Sequence, residues 1–149
     1  MSLENARDPE QLRRMEILKE SGLCYFCMQG SEENKTIPKK IYETKYWYIT
    51  KNDFPQPGSV HHYLIISKRH VLRETELYKK EWAEFQETLI WIEKYMKSPG
   101  FSKFSRNGDM AYTDATIDHL HIQIIAGVKK NDNTEKIKIT LAHKKTSVN

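Results

Sequence analysis

An α+β fold, an antiparallel sheet with one N-terminal helix and one long central helix, is predicted by three observations. Residues 77–97 carry apolar side chains at helical spacing. Short β-branched or aromatic runs bounded by turn residues lie at 36–50, 60–71 and 115–127. Such strands precede and follow the long helix, the order expected of an antiparallel α+β domain.

The first element is a helix in "DPEQLRRMEILKESG". Asp8 stands in cap position, Pro9 in the first turn and Gly22 after the last, with Leu12, Met15 and Leu18 at helical intervals. It delivers the chain to "CYFC". "TIPKKIYETKYWYIT" predicts two short strands joined as a hairpin, and "NDFPQPGS" a turn. "VHHYLIISKRHV" predicts a buried strand through Tyr63, Leu64, Ile65 and Ile66 that ends at the basic "SKRH". On the long helix Tyr78, Trp82, Phe85, Leu89, Ile92 and Met96 fall on one side and predict a core-facing stripe. After "SPG", "FSKFSRNG" predicts a strand and "DMAYTDATID" a polar loop. The remainder predicts a last strand around Ile137, Ile139 and Leu141 and a frayed basic end. One domain covers 1–149, with a helix and CxxC segment at 8–30, a core at 36–127 and a C-terminal strand and tail at 128–149.

Composition narrows the class. The 149 residues are 38% hydrophobic and 11% aromatic, which argues against general disorder. No apolar run reaches the length of a membrane span and the polar start has no apolar signal core, so a cytoplasmic protein is expected. A net charge of +4 favours anionic ligands but falls short of a dedicated nucleic-acid surface.

The chemistry concentrates in "ATIDHLHIQIIAG", residues 115–127. In a strand, His119, His121 and Gln123 share one face while Leu120, Ile122 and Ile124 share the other. The apolar face needs a core, and the polar face must look into a site or into water. A neutral imidazole is a good nucleophile when an acceptor holds its other nitrogen. Gln123 offers an amide NH₂ to a phosphoryl oxygen at any pH. Such a face suits attack on phosphorus.

"HLHIQII" resembles the defining motif of the histidine triad (HIT) family, and "NDFPQPGSVHHYLIISKRHV" and "RNGDMAYTDATIDH" are similar to that family's upstream segments, the likeness running from about residue 20 to 127. The resemblance implies a nucleotide hydrolase or nucleotidyltransferase acting at an α-phosphate, with His121 forming a covalent nucleotidyl-histidine. Gln123 would contact the phosphate, Thr116 the phosphate or the leaving group, Asn107 would lie near the phosphates, and Asn52, or Asp53 beside it, would bind ribose. It also implies helices on one side of the sheet, and a homodimer built partly through the long helix. Gln123 stands where most members have the third histidine, as in the nucleotidyltransferase and phosphorylase branches. A dinucleoside polyphosphate phosphorylase, or a nucleotide-binding module with little turnover, therefore stands as the alternative. Ser67 replaces a usual proline, and the doubled His61 and His62 shift the spacing to Asn52 by one.

Cys24 and Cys27 have the C-x-x-C spacing that presents two sulfurs to a tetrahedral ion. Inert thiols or a redox pair are the other readings of that spacing alone, the last lacking a βαβ setting. The resemblance, to the family's zinc-bearing branch, implies His70 and His119 as the remaining ligands of a structural Zn²⁺. His61 and His143 are assigned no role, and His62 a place in the site wall or against its own backbone.

Overall fold

The computed structural model describes residues 2–22, 24–27 and 39–146. The end of the CxxC segment and the start of the first strand, at 28–38, lie outside the described residues. Helix α1 spans Pro9–Ser21. Its ends follow from local chemistry: the Asp8 carboxylate accepts the N–H groups of Glu10 and Gln11 at 2.8 and 3.3 Å, which would otherwise lack partners. Gly22 closes the helix in the left-handed conformation at φ 67.

Five strands follow, β1 Lys40–Glu43, β2 Trp47–Lys51, β3 His61–Ser67, β4 Ser102–Ser105 and β5 His121–Ala126. They form one antiparallel sheet in the order β1-β2-β3-β5-β4. Between β3 and β4 runs helix α2, Lys79–Met96. It ties itself to the hairpin of β1 and β2 through Glu84, whose carboxylate accepts the Thr44 hydroxyl at 2.7 Å and the Tyr46 N–H at 2.6 Å.

The strands bury side chains on both faces. Toward α2 point Trp47, Ile49, Tyr63, Ile65, Ile122 and Ile124, which meet Phe85, Ile92 and Met96. On the other face Tyr48, Leu64 and Ile66 meet Leu18 of α1 together with Tyr25 and Phe26. The helices therefore cover both sides of the sheet, not one as expected. A strand such as β3, apolar at successive positions, needs a cover on each face.

Three further expectations are corrected. The stripe on α2 is rotated, leaving Tyr78 58% and Trp82 38% exposed while Glu81 and Thr88 are buried. Glu81 goes inside because its charge is fully engaged: Arg69 donates to it at 3.0 and 2.8 Å and the Tyr78 N–H at 2.7 Å. Its carbonyl also accepts the indole N–H of Trp47 at 2.8 Å. The loop before β5 contains a short helix, α3, Met110–Thr113, capped by Asp109. The strand expected around Ile137, Ile139 and Leu141 does not form. Side chains take backbone groups there instead, Gln56 donating to the Lys138 carbonyl at 2.5 Å and Arg106 to that of Thr140 at 2.6 Å.

Ile92 is fully buried between α2 and the sheet. Ile92→Ala is expected to lower stability by about 2–5 kcal/mol in urea unfolding, through lost burial and the cavity left behind. A loss under about 0.5 kcal/mol would contradict this packing.

Candidate active site and metal centre

The pairing of β3 with β5 sets the site. It places His121 opposite Ile66 and Gln123 opposite Leu64, on the face turned away from α2. Leu120, Ile122 and Ile124 point the other way into the core, as the alternation predicts. β5 begins at His121, so His119 precedes the strand instead of belonging to it. The N–H of Leu120 donates to the Val71 carbonyl at 2.7 Å and holds the chain there.

His121 Nδ1 lies 2.7 Å from the carbonyl oxygen of His119. A carbonyl only accepts, so Nδ1 carries the proton and Nε2 keeps a lone pair. Desolvation pushes the His121 pKa down to about 4 against that backbone bond, and charge on neighbouring His119, Arg106 or His62 acts in the same direction as burial. The ring is neutral at physiological pH.

His62 reaches the same face. Its Nδ1 accepts the Gln56 N–H at 2.8 Å, so Nε2 bears the hydrogen and donates to Gln123 Oε1 at 2.5 Å. With Oε1 committed, the NH₂ of Gln123 is left for the cavity. Asn52 flanks the ring at 3.1 Å and accepts the Phe54 N–H at 3.0 Å. From sequence His62 is placed only in the site wall or against its own backbone. The alternation of His62, Leu64 and Ile66 was the signal that it shares a face, but it became specific only with the β3–β5 register.

A cavity of about 320 Å³ opens over these residues, lined by His121, Gln123, His62, Asn52, Asp53 and Thr116 among others. Asp53 is paired with Arg14 at 2.9 Å. Asn107 is not part of the lining. Its Oδ1 accepts the Glu74 N–H at 2.7 Å and its NH₂ donates to Ser105 at 2.9 Å, which fastens the end of β4 to the 74–76 turn. The neighbouring Arg106 faces the cavity in its place. Both ends of the chain contribute walls. The Asn5 amide donates to the Ala115 carbonyl at 2.8 Å and the Ser2 N–H to that of Thr116 at 3.1 Å, while Ile139 and Thr140 close another side.

Cys24, Cys27, His70 and His119 converge, with one donor atom from each lying within 4.8 Å of the others. His119 Nε2 is 2.7 Å from the Ser67 carbonyl and so carries the hydrogen. Its Nδ1 lone pair then faces Cys24 and Cys27 at 3.3 and 3.5 Å. His70 Nδ1 lies 3.3 Å from Cys27. Two thiols and two imidazoles, one already oriented by a backbone acceptor, form a donor set suited to a tetrahedral thiophilic ion. The four candidate ligands, two from the C-x-x-C spacing and two from the family resemblance, are brought together.

The sequence profile of the HIT domain matches residues 33–130. A search of curated proteins finds no significant relative. Solved structures do match. A HIT family hydrolase from Clostridium thermocellum superimposes with a TM-score of 0.58 at 22% identity, over 77% of this chain and 96% of that one. A Zn-bound histidine triad family protein from Mycobacterium smegmatis gives 0.59 at 20%, over 79% and 81%. A histidine triad nucleotide-binding protein from Candida albicans gives 0.56 at 22%, over 75% and 87%.

Nitrogen-resolved NMR of the histidine rings at neutral pH is expected to find His121 as the Nδ1–H tautomer, with Nε2 unprotonated. An Nε2–H ring would contradict the bond to the His119 carbonyl.

Proposed function

Because the chain belongs to the HIT family, we propose that it is an enzyme that cleaves a nucleoside phosphate derivative at its α-phosphorus, with His121 as the covalent nucleophile. The observation that carries this reading is the His121 ring at the cavity wall, its Nδ1–H held by a carbonyl at 2.7 Å. In the first displacement Nε2 forms a bond to phosphorus and the leaving group departs with its electron pair. The ring then carries a positive charge, which the His119 carbonyl stabilises through the Nδ1–H bond without taking the proton. In the second displacement water or another acceptor attacks phosphorus, the P–N bond breaks with its electron pair returning to Nε2, the attacking group's proton leaves to solvent, and His121 is again neutral.

The other residues serve positioning and charge stabilisation, the main demands of phosphoryl chemistry. Gln123 presents its NH₂ to a phosphoryl oxygen, its amide fixed by His62 at 2.5 Å. Thr116 offers its hydroxyl to the phosphate, and Asn52 and Asp53, which also line the cavity, receive the ribose. Asn107, committed elsewhere, is given no such role. Cys24, Cys27, His70 and His119 hold a structural Zn²⁺, which joins the N-terminal segment to the chain just after β3 and just before β5. A homodimer through α2 completes the reading, supported by Ile90 and Tyr95, which α2 leaves 46% and 50% exposed.

His121→Asn is expected to cut turnover of nucleoside phosphate derivatives by several orders of magnitude while nucleotide binding persists, as for removal of a covalent nucleophile. Undiminished turnover in that variant would end this reading. Metal analysis is expected to find about one zinc per chain, with Cys24→Ser losing both the metal and thermal stability. A chain that purifies without zinc and is indifferent to Cys24→Ser would remove the metal from the account.

A further inference from the structure

Two segments outside the sheet line the cavity along with His121: Glu4 to Arg7 at the start of the chain, and Ile139 with Thr140 near its end. Both are tied to the same two loops. The first segment holds the turn after β2 through Arg7, which donates to the Phe54 carbonyl at 2.9 Å and to the Gln56 side chain. It holds the loop before β5 through the Asn5 amide and the Ser2 N–H, which donate to the carbonyls of Ala115 and Thr116. In the second segment the Lys138 carbonyl accepts the Gln56 amide at 2.5 Å and the Thr140 carbonyl accepts Arg106 at 2.6 Å. The His143 ring lies 3.7 Å from Asp114 on that same loop. The loops so joined carry Asn52 and Asp53 on one side of the cavity and Thr116 on the other.

Among the described residues Gln56 is the side chain bonded to both segments. Arg7 only donates and a carbonyl only accepts, so Oε1 faces Arg7 and the NH₂ faces Lys138. The turn beneath is fixed on its own account. The Gln56 N–H donates to His62 at 2.8 Å, and its carbonyl accepts the N–H and hydroxyl of Ser59 at 3.0 and 2.6 Å. The two segments are held more lightly. Residues 2–7 contain one short turn, Leu3–Asn5, with no buried residue. Residues 137–143 belong to no helix or strand; Ile137 and Ile139 are half-buried and Lys138, Thr140 and Leu141 are exposed. Ile137 rests on bare backbone, since a Cβ at Gly127 would come within 3.3 Å of its Cδ1. Segments with little buried apolar surface, bound by a few side-chain hydrogen bonds, open at lower free energy than the sheet under them.

We propose that residues 2–7 and 137–143 form a two-part gate over the cavity, latched by the Gln56 side chain, which parts to let a nucleotide enter and leave. The proposal rests on the nucleotide reading of the cavity. The latch is the side chain of Gln56, while the group that orients His62 is its backbone N–H. The gate therefore opens without disturbing the pair of His62 and Gln123, and binding and release wait on that opening.

The test uses the full chain as wild type, Gln56→Ala, Gln56→Glu and a control, Lys94→Gln on the exposed side of α2. Limited proteolysis reads each segment, trypsin cutting after Lys136 and Lys138 and a glutamate-specific protease after Glu4. Gln56→Ala is expected to speed both sets of cuts by at least about fivefold, since cleavage tracks the open population and each segment loses a hydrogen bond. Gln56→Glu keeps the acceptor for Arg7 and loses the donor to Lys138, so only the cuts after Lys136 and Lys138 quicken. The control matches the wild type, and histidine NMR finds the His62 tautomer unchanged in all. In stopped-flow binding of AMP and GMP, association and dissociation both quicken in Gln56→Ala, and Kd changes less than either rate. Cleavage indifferent to Gln56→Ala overturns the gate, as does a rise in dissociation alone, which would make Gln56 a direct ligand contact. If Gln56→Ala fails to fold, the one-sided pattern of Gln56→Glu decides. Nucleotide binding with unchanged cleavage removes the gate only; a wild type that binds neither nucleotide removes the reading on which it rests.

Discussion

The antiparallel pairing of β3 with β5 is the constraint on which the site depends, because one register brings His62 to Gln123, sets His121 beside them and puts the Ser67 carbonyl against His119. A slip of one residue would turn His121 and Gln123 into the α2 core and expose Ile122 and Ile124. That penalty fixes the register. The apolar face thus enforces the geometry of the polar one, and the core under α2 is as much a part of the site as the cavity.

His119 connects the two centres. Its Nε2–H goes to Ser67, its Nδ1 to the cysteine pair and its carbonyl to His121. A metal held by Cys24, Cys27, His70 and His119 would restrain the carbonyl that orients the nucleophile. Such a metal would act on the proposed reaction through position alone, and its loss would loosen the ring of His121 without removing any reacting group. Ser67, which departs from the family's usual proline, adds a hydroxyl that lies 3.0 and 3.2 Å from the carbonyls of Arg69 and Leu120, with one hydrogen to give between them.

Much of this was legible in the sequence because it rests on local rules. The caps Asp8 and Gly22, the hairpin at 40–51, the alternation in β5 and the four metal donors each follow from neighbours in the chain or from a family motif. What escaped was non-local. Asn107 fits a motif position, yet its side chain is used up in tying β4 to residues 74–76. Tyr78 and Trp82 fit a helical stripe, but Arg69, from a distant loop, draws Glu81 inside. Ile137, Ile139 and Leu141 alternate as a strand would, and side chains of Gln56 and Arg106 claim the backbone there. Arg106 belongs to no pattern before the segment around Thr140 is folded over the cavity.

The measurement that bears most directly on the central claim is the capture of the intermediate. Wild-type protein mixed with a nucleoside polyphosphate, quenched in base to protect a phosphorus–nitrogen bond, and mapped by peptide mass spectrometry should carry one nucleotidyl group on His121, and the group should be lost in acid. Turnover under the same conditions with no adduct on His121, or with the adduct on another residue, would contradict the account.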